Sequence, residues 1–191
     1  MGYKTMDANE AVSRVSYKFT EIAGIYPITP ASPMAEKVDV LASKGEINFW
    51  GNKVKVIEME SEKGAIATVH GALQAGVLAT TYTASQGLLL MIPSIYKMAG
   101  EMLPGVIHVA ARSLSTHSLS IFGDHQDIYA VRQTGACMLS SSSVEEAYHM
   151  AMVSHLASIK SSLPFINFFD GFRTSHEIDK VKEIDLSKLE T

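Results

Sequence analysis

The stretch Gly24-Ile-Tyr-Pro-Ile-Thr-Pro-Ala-Ser-Pro33 holds three prolines within seven residues and lies between two segments with helical periodicity. Each proline fixes its own φ and pushes the preceding residue toward extended geometry. We therefore expect extended residues from Gly24 to Ile28, a rigid strand exit that aims Thr29, and a helix that Ser32 caps. Strand followed directly by helix is the repeating unit of a parallel α/β sheet. A rigid loop of this kind is useful for binding a ligand, and the alternative is a proline-rich connection that binds none.

The same alternation of strand and helix continues on both sides of this stretch. Upstream, Asp7-Ala-Asn-Glu10 is a capping-box pattern that opens a helix, and Gly24 is expected to end it. Downstream, the helix that follows Pro33 should end near Gly45. Further strands are predicted at 54–59, 77–83, 106–111, 136–139 and 165–169, with helices at 61–76, 85–102, 126–133 and 143–159. Six strands separated mostly by helices predict an α/β fold, a parallel six-stranded sheet with helices on both faces.

Length and charge distribution suggest one domain and a tail. A chain of 191 residues favours a single domain. Residues 1–174 are predicted to form this α/β domain. Residues 175–191 are richer in charge, and we interpret them as a linker or docking tail toward a missing following domain.

Composition excludes several classes of function. The chain is 47% hydrophobic and 19% charged with a net charge of -4, and no basic stripe predicts a nucleic-acid partner. No apolar run is long enough to cross a membrane, and the amino end lacks a signal region, so we expect a cytoplasmic protein. Cys137 is the only cysteine, which excludes an internal disulfide and an iron-sulfur cluster ligated by four thiolates of this chain. Neither the dinucleotide fingerprint nor the P-loop motif occurs, so neither NAD nor ATP is indicated.

Polar residues follow every predicted strand. In open parallel sheets, ligands bind outside the carboxyl ends of the strands. These exits are therefore expected to form a rim suited to a polar ligand. They are Thr29; Glu60, Ser61 and Glu62; Ser85 and Gln86; Arg112 and Ser113; residues 140–143; and Asp170 with Arg173.

Each candidate on the rim also has a simpler interpretation. Glu62 lies in the first turn of a helix, where a negative charge complements the helix dipole without any ligand. Arg112 follows a buried strand, so its guanidinium is placed to bind a carboxylate ligand through two hydrogen bonds, or to form a structural ion pair. The segment from Thr116 to Asp127 holds two histidines and two carboxylates, but their spacing matches no zinc site. We expect a loop fixed by side-chain hydrogen bonds instead.

Six motifs at these exits resemble those of pyruvate:ferredoxin (flavodoxin) oxidoreductases. The resemblance covers nearly the whole chain and concerns the amino-terminal domain, which in thiamine enzymes holds the aminopyrimidine of thiamine diphosphate. The short proline motif is shared with other 2-oxoacid:acceptor oxidoreductases, whereas the longer motifs are more specific. The motifs are Tyr26-Pro-Ile-Thr-Pro30, Ser61-Glu62, Thr83-Ala-Ser-Gln-Gly-Leu-Leu-Leu-Met-Ile-Pro93, Ala111-Arg112, Ile121-Phe-Gly-Asp-His-Gln-Asp127 and Phe168-Phe-Asp-Gly-Phe-Arg-Thr-Ser-His-Glu177.

The resemblance implies a reaction and a role for three residues. Glu62 matches the catalytic glutamate that hydrogen-bonds N1′ of the cofactor pyrimidine. Arg112 matches the arginine that binds the pyruvate carboxylate, and Thr29 matches the threonine that hydrogen-bonds the substrate. The implied reaction is oxidative decarboxylation of pyruvate to acetyl-CoA and CO2, with electrons passing to ferredoxin or flavodoxin. The implied partners are pyruvate, coenzyme A, the electron carrier, and the remaining domains or subunits of a homodimeric enzyme.

The chain also departs from the family pattern. Lys63 stands where a small residue is expected, and we expect its ammonium to point away from Glu62. The cluster cysteines are missing, as is the Gly-Asp-Gly and Asn pattern that holds diphosphate and Mg2+. Mg2+ and [4Fe-4S] clusters are thus expected in the full enzyme without ligands from this chain, which alone should be inactive. The alternatives are a noncatalytic packing module and the equivalent domain of another 2-oxoacid:ferredoxin oxidoreductase.

Overall fold

A parallel six-stranded sheet forms the centre of the molecule and confirms the predicted α/β fold. The computed structural model describes residues 2–186. In chain order the elements are β1 (Tyr3–Met6), α1 (Ala8–Phe19), β2 (Ile22–Ile25), α2 (Ser32–Ser43), β3 (Lys55–Glu58), α3 (Glu62–Gln74), β4 (Ala79–Thr83), α4 (Ser85–Gly100), β5 (Val106–Ala111), α5 (Gln126–Val131), β6 (Cys137–Ser141), α6 (Val144–Ser161), β7 (Phe165–Asp170) and β8 (Asp179–Lys182). None of the helices within residues 2–186 has the length and hydropathy needed to cross a bilayer.

The strand order of the large sheet is β3-β2-β4-β5-β7-β6, and every neighbouring pair is parallel. From β2 the chain moves to β3 on one side and then returns to β4 on the other. Such a reversal opens a crevice between the two strands at their carboxyl ends. The exits of β2 and β4 therefore lie at a topological switch point.

Helices cover the sheet on both faces. Helices α1, α2 and α6 pack on one face around Val12, Met34 and Ala147. Helices α3, α4 and α5 pack on the other face, where Ile66 and Leu88 are fully buried. Because side chains alternate along a strand, each strand contributes residues to both layers.

The boundary between α1 and β2 differs from the prediction. Helix α1 ends at Phe19, and Thr20 is already extended because its hydroxyl bonds Ser16 O at 2.6 Å and Thr80 Oγ1 at 2.7 Å. Strand β2 ends at Ile25, three residues before the predicted end. Gly24 is not a helix stop: a Cβ there would lie 2.6 Å from Ala65 O, so glycine allows α3 to approach the sheet closely.

The start of α2 also corrects the prediction. Ser32 is a helical residue rather than the cap, and the cap position is Ala31, which makes no side-chain capping bond. The turn is closed by the backbone instead, since Ile28 O accepts the N–H groups of Ala31 and Ser32, each at 2.9 Å. The Thr29–Pro30 peptide bond is cis. The remaining predicted elements agree with the structure to within two residues at each end.

A small antiparallel sheet of β1 and β8 was not predicted. Its register pairs Tyr3 with Lys182 and Met6 with Asp179. Only Met6 and Val181 of the two strands are buried, which leaves too short an apolar pattern to detect in the sequence. Residues 179–182 of the proposed tail thus pair with the amino end of the chain. Residues 187–191 lie outside the described part, and the division at 174 stays a prediction.

Two buried histidines meet between the sheet and α6. Nε2 of His108 lies 3.1 Å from Nε2 of His155, and the Asn167 amide donates to Nδ1 of His108 at 3.0 Å. His108 therefore carries its proton on Nε2 and donates it to His155. Burial lowers the pKa of His108 well below its ordinary value and lowers the pKa of His155 to about 3. The pair is neutral in the folded protein at neutral pH.

We expect this pair to make the stability of the 191-residue chain depend on pH. Unfolded histidines take up a proton near pH 6.5, whereas the folded pair resists protonation, so stability is complete above about pH 6.5 and falls as the pH decreases. The expected slope is about 1.4 kcal/mol per pH unit for each histidine. Urea unfolding at several values between pH 7 and 5 measures it. His155→Leu should reduce the slope, and the exposed-site control His117→Asn should leave it unchanged; equal slopes in all three chains would contradict the expectation.

Candidate functional site

Arg112 and Thr29 meet at the carboxyl edge of the sheet. Arg112 follows β5 and Thr29 follows β2, with β4 between the two strands. Nη1 of Arg112 donates to the main-chain oxygen of Thr29 at 2.7 Å. Arg112 is 7% exposed, and its buried Nε has no hydrogen-bond partner. Arg112 forms no ion pair with a carboxylate of residues 2–186, so the alternative of a structural ion pair is not observed. Its guanidinium therefore retains its charge and hydrogen-bond donors for a ligand.

Glu62 occupies the first turn of α3 at the neighbouring exit. Ser61 caps the helix by accepting the Gly64 N–H at 3.2 Å. The Glu62 side chain is buried and packs against the first turn of α4, where a Cβ on Gly87 would lie 2.7 Å from its Cγ and 2.8 Å from Oε1. Only glycine at position 87 leaves room for this carboxylate. Lys63 is exposed and forms no ion pair with Glu62 in the described chain, as expected.

A buried hydroxyl lies beside the same glycine. Thr83 Oγ1 lies at the end of β4, and a Cβ added to Gly87 would be 2.6 Å from it. This hydroxyl has no hydrogen-bond partner. Buried polar atoms are nearly always paired, so this hydroxyl next to a carboxylate is suited to hydrogen-bond a polar ligand or a water molecule. The helix dipole of α4 adds a positive potential at this point.

Sequence reasoning missed the role of Asp127. It is fully buried on α5, and its Oδ2 accepts the backbone N–H groups of Ser85 at 2.7 Å and Arg112 at 3.0 Å. Burial raises the pKa of Asp127, while these backbone hydrogen bonds oppose the rise. In the sequence it is indistinguishable from an ordinary acidic residue in the first turn of a helix. Only the approach of α5 to β4 and β5 distinguishes it.

The segment before α5 is fixed by side-chain hydrogen bonds, as predicted. Gln126 Oε1 accepts the Leu114 N–H at 2.8 Å, and Asp124 Oδ1 accepts the Gln126 N–H at 2.8 Å. No group of three or more histidine, cysteine, aspartate or glutamate side chains among residues 2–186 is arranged to hold a metal ion.

The predicted rim divides into two parts. Asp170, after β7, pairs with His125 at 2.7 Å and borders a separate polar cavity of about 290 Å³ with Ser140 and Arg173. The lining of that cavity includes none of Thr29, Glu62 and Arg112. Arg112 contacts Thr29 directly, and Glu62 lies beside Thr83 and Gly87 at the exit of β4, the strand between β2 and β5.

The fold is an open α/β domain whose sheet has a topological switch point between β2 and β4, the place where ligands bind in folds of this class. Comparison with known proteins makes the assignment specific. The family model described as pyruvate flavodoxin/ferredoxin oxidoreductase, thiamine diphosphate-binding, matches residues 14–191. The chain belongs to this family.

Several known proteins are similar over nearly the whole chain. A pyruvate-flavodoxin oxidoreductase of Klebsiella pneumoniae is 61% identical over 98% of the chain, and a pyruvate:ferredoxin oxidoreductase of Moorella thermoacetica is 58% identical over 99%. The chain spans 16% of the length of each of these curated relatives. A solved 2-oxoglutarate:ferredoxin oxidoreductase of Magnetococcus marinus has the same fold, with a TM-score of 0.85 and 22% identity over 98% of this chain and 32% of that chain.

Proposed function

We propose that this chain forms the pyrimidine side of a thiamine diphosphate site and the substrate-binding residues of a larger pyruvate:ferredoxin or flavodoxin oxidoreductase. The proposed reaction converts pyruvate and coenzyme A to acetyl-CoA and CO2 and transfers electrons to the carrier protein. One observation supports it above all others. The hydrogen bond from Arg112 to Thr29 O fixes a guanidinium that has no carboxylate partner at the carboxyl edge of the sheet, where buried Glu62 also lies.

The residues present fit the pyrimidine side of the cofactor. A buried carboxylate, a buried hydroxyl without a hydrogen-bond partner and a glycine lie together at Glu62, Thr83 and Gly87. A carboxyl group and a hydroxyl group can each accept or donate a hydrogen bond, so they suit the ring nitrogen and the amino group of an aminopyrimidine. Thiamine diphosphate supplies, when bound, a carbon nucleophile for the ketone of a 2-oxoacid and an acceptor for the electrons that decarboxylation releases.

Glu62 is proposed to share a proton with N1′ of the pyrimidine: its carboxyl group donates a hydrogen bond to N1′ when protonated, and its carboxylate accepts one from N1′–H after the proton has moved. Its burial at the start of α3 supports this role, since a carboxylate shielded from water interacts more strongly with a single partner. Gly87 keeps the approach to α4 open for this carboxylate.

Arg112 and Thr29 are proposed to bind pyruvate. A guanidinium offers up to five donors, and in Arg112 one of them is used by Thr29 O, so donors remain for the two oxygens of a carboxylate. The Thr29 side chain is exposed, and its hydroxyl makes no hydrogen bond within residues 2–186. It is thus available to the substrate, while its backbone oxygen orients the arginine.

The rest of the cofactor site is proposed to come from other parts of the enzyme. Residues 2–186 contain no metal-binding cluster, so Mg2+ and the diphosphate would be held elsewhere. The single Cys137 likewise requires that iron-sulfur clusters be ligated by other segments. Coenzyme A, the carrier protein and a second copy of the enzyme in a homodimer would also act through the complete assembly.

A dye-reduction assay tests this proposal. The complete enzyme should reduce a viologen dye when supplied with pyruvate, coenzyme A and thiamine diphosphate, whereas the 191-residue chain alone should not, because it supplies only part of the site. Turnover by the chain alone would contradict the half-site assignment. A kcat/KM for 2-oxoglutarate above that for pyruvate would instead assign the domain to another 2-oxoacid oxidoreductase.

A further inference from the structure

Asp127 is a buried carboxylate that forms no salt bridge within residues 2–186, although nearby His125 favours its charged form electrostatically. It accepts three backbone N–H groups instead, from Ser85 and Arg112 on Oδ2 and from Ile128 on Oδ1 at 2.8 Å. Burying a charge is unfavourable unless polar partners compensate for the lost water. A neutral residue would fill this position at lower desolvation cost. We therefore attribute the presence of a carboxylate to the three backbone N–H groups that it accepts.

The two N–H groups on Oδ2 belong to the exits of adjacent strands. Ser85 follows β4 and Arg112 follows β5, so one oxygen atom fixes the spacing between the two exits. Ser85 adopts a φ of 52°, a left-handed conformation uncommon for a residue with a side chain. Its hydroxyl donates to Ser113 O at 2.7 Å, which ties the same two exits together a second time.

Asp127 bonds Arg112 only at the backbone N–H and not at the guanidinium. Arg112 carries its N–H on Asp127 and extends Nη1 to Thr29 O at 2.7 Å, so the side chain is held at both ends. Moving the backbone at 112 would move the guanidinium relative to Thr29. Displacements of about 1 Å in a binding group lower the efficiency of an enzyme severely.

We propose that Asp127 is a positioning residue: it sets the backbone of Arg112 so that the guanidinium meets the substrate carboxylate, and it does not touch the substrate itself. This inference rests on the proposed function, in which Arg112 binds pyruvate.

Asp127→Asn in the complete enzyme tests the inference. Asparagine keeps the shape but has one acceptor oxygen, so at least one of the three N–H groups loses its partner. In either orientation of the asparagine amide its NH2 group faces at least one backbone N–H and repels it; we expect the Arg112 backbone to shift and the KM for pyruvate to rise roughly tenfold. The kcat and the dissociation constant of thiamine diphosphate should change by a clearly smaller factor than the KM, since Arg112 contributes to neither in this proposal and Asp127 reaches the start of α4 only through Ser85. The same substitution at exposed Asp39 on α2 is the matched control and should leave all three constants unchanged.

A double substitution distinguishes positioning from a general structural role. If Asp127 acts through Arg112, then Asp127→Asn should not raise the KM further in an Arg112→Ala background. An equal rise in both backgrounds would overturn the inference, and so would a fall in kcat or in cofactor affinity comparable with the rise in KM. Failure of the proposed function is seen separately, because Arg112→Ala alone would then leave the KM for pyruvate unchanged.

A second variant covers the case in which the asparagine enzyme folds poorly. Asp127→Glu keeps the charge but shifts the carboxylate by one methylene, and we expect it to raise the KM with little change in kcat. An unchanged KM in this variant would overturn the positioning role.

Discussion

Replacement of Glu62 by Gln should lower the kcat of a complete oxidoreductase that carries this domain by about 100-fold or more, the usual scale of general acid–base catalysis. Glutamine has nearly the same volume, so it fits against Gly87 and leaves the fold intact. Its amide cannot exchange a proton with the pyrimidine as a carboxyl group does. Steady-state dye reduction with saturating pyruvate measures the effect, and circular dichroism checks the fold.

Controls isolate the Glu62 carboxylate from its surroundings. Glu36→Gln makes the same change at an exposed position on α2 and should keep full activity. Gly87→Ala should displace the carboxylate and weaken thiamine diphosphate binding, measured by titration calorimetry. Gly100→Ala at the other end of α4 meets no atom within 4 Å and should not change that affinity. A Glu62→Gln enzyme with more than half of the original turnover would refute the assignment.

Replacement of Arg112 by Ala should act chiefly on pyruvate binding. Truncating one member of a desolvated charge pair costs on the order of 2 to 5 kcal/mol, which corresponds to a KM raised about 30-fold or more. The guanidinium is largely buried and lacks a carboxylate partner in residues 2–186, so the charge pair would form with the substrate. Initial rates over a range of pyruvate concentrations give KM and kcat separately.

Two further variants sharpen the Arg112 experiment. Arg112→Lys keeps the charge but loses the planar fork, so its KM should lie between those of the original enzyme and the alanine variant. Arg132→Ala is the matched control, because exposed Arg132 also donates Nη1 to a backbone oxygen, that of Tyr129 at 2.7 Å. An unaltered KM in Arg112→Ala would remove this residue from the substrate site.

The sequence predicted elements well where the apolar pattern was long and clearly bounded. Strand β5 was predicted with its observed ends, because six apolar or buried residues stand between Gly105 and Arg112. The α1 and β2 boundary failed because Ile22 and Ala23 continue the helical spacing of α1 while belonging to a strand. Hydroxyl contacts between distant residues decide that boundary, and such contacts leave no local signal.

The candidate site was only partly predictable for the same reason. Thr29, Glu62 and Arg112 are among the polar residues that follow predicted strands, and the family resemblance singled them out from that larger set. That Arg112 reaches Thr29 depends on β4 lying between β2 and β5, and strand order is a property of tertiary packing. Gly87 leaves room for Glu62 because α3 approaches α4, and Asp127 accepts two backbone N–H groups because α5 approaches the strand exits. These contacts depend on tertiary packing, so spacing along the chain does not predict them.

The bond between Arg112 and Thr29 has a consequence for how this pocket diversifies. It uses the backbone oxygen of residue 29, an atom that every amino acid possesses. A different side chain at position 29 would therefore change the surface beside Arg112 but keep the hydrogen bond from Nη1 to the backbone oxygen. Under the proposed function, a different side chain at 29 would change the contact with the rest of the 2-oxoacid, while the arginine that binds its carboxylate would keep the same anchor.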